Sequence, residues 1–282
     1  MSFRIAVITD IHHGVGREGE RGGSAISALN AFVDWTRETA PDFVLDLGDR
    51  IADQTHSVDL RLEREVSDVL AAVDAPVLHI NGNHDRDNLS VADNEKILGQ
   101  GLGHEVRDLG AWRLLLWRAE TRFERGVGMA LAEEDVSWLE TALGASDKPA
   151  LLASHVPPFV QDMTGNHFFQ ENAEIATYCD IARVTGVLEQ ARCPLVTVSG
   201  HVHWTTAEQR GGIWHLTQQA LTETYQNGHP AMAWGMMELG EDVAWEVFGA
   251  DPMALRFRPT ARRWAKPLPR FEDMPARSAA LG

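Results

Sequence analysis

Short apolar runs alternate with longer stretches of mixed apolar and polar residues along most of the chain. A short apolar run bounded by turn residues is typical of a buried strand, and apolar residues spaced by three or four positions predict an amphipathic helix. Strands alternating with helices predict βαβ units and a parallel sheet. We expect such strands at 3–9, 43–47, 77–80, 150–153 and 194–199, helices at 25–39, 60–73, 133–143 and 181–190, and further, antiparallel strands at 106–109, 112–117, 205–210, 213–217, 232–239 and 244–248.

Polar residues that can bind metal ions follow five of these strands directly. His201 and His203 lie two residues apart, as do Asp10 and His12, and side chains at this spacing leave an extended backbone on the same side. Loops at the carboxyl ends of the strands form the edge where open α/β sheets bind ligands. The repetition predicts a metal site at this edge. The strand ends carry Asp10 and His12, Asp49, Asn83 and His84, His155, and His201 and His203.

The order of these motifs, D-x-H, G-D, G-N-H-D, a lone H and G-H-x-H over roughly residues 8 to 203, resembles the calcineurin-like metallophosphoesterases. The resemblance implies an α/β fold in which a two-sheet β-sandwich is flanked by helices in four α/β/β/α layers. It also implies two metal ions, with Asp49 bridging them. A mixed nitrogen and oxygen ligand set without thiolate suits Mn, Fe or Zn and does not choose among them. The implied ligands are Asp10, His12, Asp49 and His203 for one ion, and Asp49, Asn83, His155 and His201 for the other.

The resemblance further implies that a metal-activated hydroxide attacks phosphorus, with no covalent phosphoenzyme. His84 would protonate the leaving alkoxide or stabilise the equatorial oxygens, and Asp85 would orient His84 or a neighbouring loop. Arg50 directly follows the bridging carboxylate and is a candidate phosphate contact, although a salt bridge with Asp53 or another acid is an equal alternative. Asp53 itself stands one residue later than the second acid of the family's frequent G-D-x-x-D.

The segment 159–180 is long and irregular, and a connection of that length is usually functional. His167 within it is the best candidate for a substrate contact.

A formal net charge of −16 argues against a nucleic acid polymer as ligand, because surfaces that track phosphates are normally basic. A small phosphate ester remains possible because metal cations neutralise it locally. We expect a catalytic domain over residues 1–250. The Pro- and Arg-rich extension 251–282 is expected to pack on the acidic body or on a second subunit, which would make a homo-oligomer possible. The sequence shows neither a signal peptide nor a membrane-spanning run, so a cytoplasmic protein is predicted.

The leading functional hypothesis is hydrolysis of a small phosphodiester, such as a glycerophosphodiester, a phospholipid headgroup ester or a cyclic nucleotide. Phosphomonoester hydrolysis is the alternative, but a dianionic monoester needs an additional cation, for which the sequence offers only Arg50 or Arg86. A non-catalytic scaffold of the same fold is the hypothesis from a different class. It is disfavoured because every ligand position of the family is filled.

Overall fold

A computed structural model describes residues 2–16, 19, 21–223 and 229–274. Within these residues the chain forms two six-stranded sheets and six α-helices. The strands are β1 (Phe3–Ile8), β2 (Phe43–Asp46), β3 (Val77–His79), β4 (Glu105–Leu109), β5 (Trp112–Leu116), β6 (Ala150–Ala153), β7 (Leu195–Ser199), β8 (Thr206–Arg210), β9 (Ile213–Thr217), β10 (Trp234–Leu239), β11 (Val243–Phe248) and β12 (Met253–Phe257). The helices are α1 (Ala25–Thr39), α2 (His56–Leu70), α3 (His84–Asp87), α4 (Val91–Leu98), α5 (Glu133–Gly144) and α6 (Ala182–Gln190).

Both sheets are mixed. The first has the order β12-β11-β10-β1-β2-β3, in which β1, β2 and β3 are parallel. The second has the order β4-β5-β6-β7-β9-β8, in which β5, β6, β7 and β9 are parallel. In the second sheet the parallel strands occupy the middle and the antiparallel strands β4 and β8 form the edges, whereas in the first sheet the parallel strand β3 forms one edge and the antiparallel strand β12 the other. This arrangement matches the strand–helix alternation of the sequence, because parallel neighbours need a crossover connection.

Apolar clusters fill the spaces between the layers. Val7 from the first sheet and Leu114 and Val198 from the second belong to one buried cluster, so the sheets pack face to face. Phe32 on α1 packs on the outer face of the first sheet, and Leu139 on α5 packs on the outer face of the second. Full burial of one such side chain contributes about 1.5–3 kcal/mol. The four-layer α/β/β/α sandwich expected from the resemblance is therefore confirmed.

The carboxyl ends of the parallel strands of both sheets meet at one edge of the sandwich. The backbone nitrogen of Leu47 donates to the carbonyl of Ile8 at 2.9 Å within the first sheet, and that of Gly200 donates to His155 at 3.0 Å within the second. A third bond, from the nitrogen of Leu221 to the carbonyl of Thr9 at 3.1 Å, joins the two sheets. These bonds hold the loops of both sheets against each other, which is where the site forms.

Some elements differ from those expected. Helix α2 begins at His56 instead of residue 60, and α4 was not anticipated. Ser90 and Asp93 form a capping box at the start of α4, which satisfies its first backbone donors. Strand β12 pairs with β11, so regular structure continues beyond residue 250.

The extension beyond β12 contacts the body at several points. The guanidinium of Arg258 forms ion pairs with Glu241 at 2.9 Å and with Asp242 at 3.0 Å. The backbone nitrogen of Trp264 donates to Gly211 at 3.0 Å, and the guanidinium of Arg263 donates to the carbonyl of Cys193 at 2.9 Å. Residues 275–282 lie outside the described residues, and the domain division and the homo-oligomer stay predictions. None of the helices that the structure describes is both long and apolar enough to span a bilayer.

Candidate metal centre

Two groups of side chains at the sheet edge could each hold a metal ion. The ligand atoms within each group lie within 4.8 Å of one another, and all of these residues are buried. Both groups contain Asp49. The structure therefore divides these residues into the same two groups to which the resemblance assigns them. The first group is Asp10, His12, Asp49 and His203, and the second is Asp49, His155 and His201.

Asn83, the remaining predicted ligand, lies beside the second group. Its Oδ1 is 3.2 Å from Nε2 of His155, and this same nitrogen is 3.3 Å from Oδ2 of Asp49. In the first group, Nε2 of His12 is 3.0 Å from Nε2 of His203 and 3.9 Å from Oδ2 of Asp49. The carboxylate of Asp49 thus lies between the two sets of imidazoles, as a bridging ligand requires.

Hydrogen bonds to the second ring nitrogen fix which nitrogen of three histidines faces the site. Nδ1 of His155 donates to the carbonyl of Leu47 at 2.9 Å, which leaves Nε2 for a metal ion. Nε2 of His201 donates to the carbonyl of Ile175 at 2.9 Å, and its buried Nδ1 has no hydrogen-bond partner among the described residues. A buried nitrogen without a partner is costly unless a cation binds it. The residues present therefore fit the metal ions that the family implies.

Glu223 provides the corresponding support for His203, a role that no motif in the sequence predicted. Its Oε2 lies 2.9 Å from Nδ1 of His203, with both side chains buried. A carboxylate in this position fixes the ring orientation and raises the basicity of the ligand. Glu223 lies in the segment after β9 and belongs to no recognisable motif. The only signal in the sequence is that it is an acidic residue that follows a further strand.

The backbone is strained at most of the predicted ligands. Five of the seven predicted ligands have a positive φ, which is uncommon for residues other than glycine and clusters at active sites. The values are 51° for Asp10, 48° for His12, 54° for Asp49, 68° for His201 and 60° for His203.

Close packing of glycine makes this geometry possible. A Cβ added to Gly82 would lie 2.0 Å from Oδ1 of Asp49, and one added to Gly200 would lie 2.0 Å from Oγ1 of Thr9. The backbone of the next residue, His201, donates to the carboxylate of Asp10 at 3.0 Å. Glycine is thus needed before the predicted ligands Asn83 and His201, because the backbone of each glycine is in direct contact with a side chain of another segment.

The charges of the ligands suit cation binding. Burial would raise the pKa of Asp49, but the nearby His155 and His84 outweigh this effect and hold the pKa well below its ordinary value. Burial, followed by repulsion from His155, lowers the pKa of His201 to about 3. Asp49 is therefore ionised and His201 neutral at pH 7, which are the states that bind a metal ion.

His84 lies at the edge of the candidate metal centre, and Asp53 is its orienting partner. Its Nε2 is 4.0 Å from Oδ2 of Asp49, and its Nδ1 is hydrogen-bonded to the carboxylate of Asp53. Asp85 was expected to orient either His84 or a neighbouring loop, and it accepts hydrogen bonds from backbone nitrogens, at 2.9 Å from Asp49 and 2.8 Å from Gly82. These contacts correspond to the second alternative, because Asp85 orders the loop that carries the candidate bridging ligand.

Arg50 is not a substrate contact in this structure, so the first of the two roles predicted for it is wrong. Its side chain is fully buried beneath the site, where Nε donates to Glu63 at 2.5 Å and Nη1 to Asp46 at 2.9 Å. Nη2 donates to Asn81 at 2.7 Å and is 3.2 Å from Asp85. Asp49 points into the site, whereas the next side chain, Arg50, is held in the body by these contacts.

A cavity of about 510 Å³ opens onto the candidate metal centre. His167, the predicted substrate contact, is exposed and lines this cavity, so its placement is consistent with the expectation. His84 lines it as well. The other lining residues are Asp49, Asn83, Asp87, Phe123, Phe168, Phe169, Glu171, Asn172, Ile175, His201, His203 and Glu223.

Comparisons with known proteins agree with this geometry. A family model described as calcineurin-like phosphoesterase matches residues 3–205. A probable cyclic nucleotide phosphodiesterase of Synechococcus sp. is 24% identical over 262 residues, which are 91% of this chain and 96% of the relative.

Solved structures share the fold. A dimetal phosphatase from Danio rerio superposes with a TM-score of 0.74 at 18% identity, covering 92% of this chain and 99% of the other. A purple acid phosphatase from yellow lupin seeds superposes with a TM-score of 0.58 at 12% identity, covering 91% of this chain and 53% of the other.

Proposed function

Since the chain belongs to the calcineurin-like phosphoesterase family, we propose that it hydrolyses a small phosphodiester, with a cyclic nucleotide as the leading substrate. The family uses a dinuclear metal centre, and the candidate ligands here form two groups that share Asp49. When bound, the metal ions supply Lewis acidity toward the phosphoryl oxygens and ionise water. The identity of the Synechococcus relative as a probable cyclic nucleotide phosphodiesterase supports the choice of substrate.

The charge of the cavity carries the preference for a diester. Among the described residues that line it there is no lysine or arginine, whereas Asp87, Glu171 and Glu223 are acidic. Arg50 is engaged beneath the site, and Arg86 forms an ion pair with Glu120 at 2.9 Å. A phosphomonoester dianion carries one more negative charge than a diester. Apart from the metal ions, only the imidazoles of His84 and His167 would then be available to balance that charge, so a singly charged diester fits better.

The position of His84 and its hydrogen bond to Asp53 support a role as the general acid. It lies beside the bridging Asp49 and lines the cavity, while the carboxylate of Asp53 holds its Nδ1. A hydrogen bond at Nδ1 leaves Nε2 to donate a proton to a leaving oxygen. Ring orientation by a carboxylate is the arrangement that positions a histidine for proton transfer.

The decisive test compares a diester with a monoester on the same protein. Metal-free protein is supplied with Mn²⁺ and assayed with bis(p-nitrophenyl) phosphate and p-nitrophenyl phosphate. We expect kcat/KM for the diester to exceed that for the monoester. The opposite order would make the chain a phosphatase, and turnover of neither ester would favour the scaffold hypothesis.

Asp49→Asn should abolish turnover in this test because the bridging charge is lost. Asp147→Asn, which changes an exposed carboxylate elsewhere on the surface, is the matched control and should leave turnover unchanged. Loss of activity in both variants would show that the assay reports general damage instead of the metal site.

A further inference from the structure

Three aromatic side chains line the cavity beside the candidate metal centre. Phe168 is 47% exposed, which is unusual for a side chain of this size, and its ring meets that of Phe169 edge to face at 5.0 Å. The ring of Phe169 is in turn 5.1 Å from the ring of the candidate ligand His201. Two ring contacts therefore connect His201 to an exposed aromatic side chain that lines the cavity. Phe123 lines the same cavity.

The loop that carries these rings is fixed to the metal site. The buried side chain of Asn166 accepts hydrogen bonds from the backbone nitrogens of Phe168 at 3.1 Å and Phe169 at 2.9 Å. Its amide donates to the carbonyl of Val202, between the two histidines of the G-H-x-H motif, at 2.9 Å. The amide of Asn172 donates to the carbonyl of Phe168 at 2.7 Å. The backbone at Phe168 is thus held in place before any ligand binds, and such preorganisation lowers the cost of binding.

Glu171 and Asn172, which follow Phe168 in the same loop and line the cavity, can accept hydrogen bonds. Oδ1 of Asn172 is an acceptor, and the exposed carboxylate of Glu171 accepts one hydrogen bond from the amide of Gln170 at 3.2 Å and has further acceptor positions. A flat, uncharged ring with amino hydrogens at its edge satisfies both features, because it stacks on the aromatic side chains and donates to these oxygens. Nucleobases with an exocyclic amino group have this chemistry.

We propose that Phe168 and Phe123 form a stacking platform for the nucleobase of a nucleotide diester, and that Glu171 and Asn172 accept hydrogen bonds from its exocyclic amino group. The inference rests on the proposed diesterase function, which places the phosphate at the metal site. It adds the class of group that the rest of the cavity recognises, and it assigns this recognition to the segment 159–180.

The test measures selectivity between a substrate with a base and one without. The Mn²⁺-loaded protein is assayed with 3′,5′-cyclic AMP and with glycerophosphoethanolamine, a diester that has no ring. Base stacking on one aromatic residue corresponds to about a 5- to 150-fold change in affinity, so Phe168→Ala should lower the ratio of the two kcat/KM values by that factor. The loss should appear mainly in KM, and Phe168→Trp should restore the ratio.

Two further variants separate recognition from damage. Phe271→Ala removes an aromatic ring that is 90% exposed and does not line the cavity, and it should leave the ratio unchanged. Glu171→Ala should reduce the preference for cyclic AMP over the cyclic phosphate of purine riboside, which lacks the amino group. Calorimetric titration with AMP gives a readout that does not depend on turnover, and AMP should bind more weakly to Phe168→Ala than to the wild type.

The outcomes distinguish the two proposals. No hydrolysis of any diester, including bis(p-nitrophenyl) phosphate, would overturn the diesterase itself. Hydrolysis of bis(p-nitrophenyl) phosphate or glycerophosphoethanolamine without binding or turnover of the adenine nucleotides would overturn the platform alone. An equal loss on both substrates in Phe168→Ala would also overturn it, because the ring would then support the site instead of selecting the base.

Discussion

Replacement of Arg50 by methionine should destabilise the folded protein and should not act primarily on substrate binding. The guanidinium is fully buried and contacts the carboxylates of Asp46, Glu63 and Asp85. Methionine has a similar length and no charge. The variant therefore leaves three acidic side chains beneath the metal site without their cation.

The structure sets the size of the effect. Removal of one partner from a buried ion pair costs about 3–5 kcal/mol, because the remaining charge stays buried and unpaired. In addition, Arg50 donates to the carbonyl of Ile80 at 2.8 Å and to Oδ1 of Asn81 at 2.7 Å, and these acceptors lose their donors. For a protein of this size, 1 kcal/mol shifts the Tm by about 2–4 °C, so the expected fall in Tm is about 6–20 °C.

Thermal and urea unfolding, followed by tryptophan fluorescence, measure this loss. Glu63→Gln is the matched control because it alters the other end of the same contact. Burial raises the pKa of Glu63 to about 8, so its carboxyl group is mostly protonated at pH 7 and glutamine retains its shape and its acceptor oxygen. The control should therefore not destabilise the protein at pH 7, because only the unfolded wild type gains free energy by ionising Glu63 and glutamine has no such group to ionise.

Two results would refute the reasoning. If Arg50→Met unfolded at the wild-type temperature and only raised KM, the arginine would be a substrate contact as the sequence allowed. If Glu63→Gln cost as much as Arg50→Met, Glu63 would be ionised in the folded protein and the protonation inferred above would be wrong.

Other predictions concern pH and the candidate metal site. The folded-state pKa of Glu63, about 8, lies above its ordinary value of 4.5, so stability should fall as the pH rises from about 4.5 to 8, and the urea midpoint of Glu63→Gln should depend less on pH over this range. Asp49→Asn should bind fewer than two equivalents of Mn²⁺ by elemental analysis with an unchanged circular dichroism spectrum; full metal content would exclude it as the bridging ligand. Asp53→Asn should lower kcat by about 10- to 100-fold at unchanged metal content, since general acid catalysis by the His84 that it orients contributes about 10²–10⁴. Glu223→Gln should weaken Mn²⁺ binding about 10- to 100-fold in calorimetry, and an unchanged affinity would mean that its hydrogen bond does not support the ligand.

The fold and the convergence of the candidate ligands followed from local features of the sequence. Apolar runs such as 150–153 become buried strands whatever their neighbours, and a polar residue directly after a parallel strand lies at the carboxyl edge by construction. His201 and His203 do converge on the site, but their backbone has a positive φ instead of the extended conformation that the spacing argument assumed. These predictions needed no knowledge of which strands pair.

Features that depend on contacts between distant segments could not be predicted. Asp53 and His84 lie 31 positions apart, and for His84 the sequence suggested only its neighbour Asp85, as one of two roles for that residue. The direction of the Arg50 side chain depends on Glu63 in α2 and on Asp85 in α3. Helix α4 is different, because its Ser90-x-x-Asp93 capping signal was present in the sequence but the segment has few apolar residues to reveal a helix.

The candidate centre is assembled from both halves of the polypeptide. Asp10 and Asn83 follow β1 and β3 early in the chain, whereas His155 and His203 follow β6 and β7 of the second sheet, and Glu223 comes later still. During synthesis on the ribosome, a nascent chain that has emerged only through β3 holds an incomplete set of ligands. Hydrolytic activity must therefore arise late and abruptly, after about four fifths of the polypeptide has been translated.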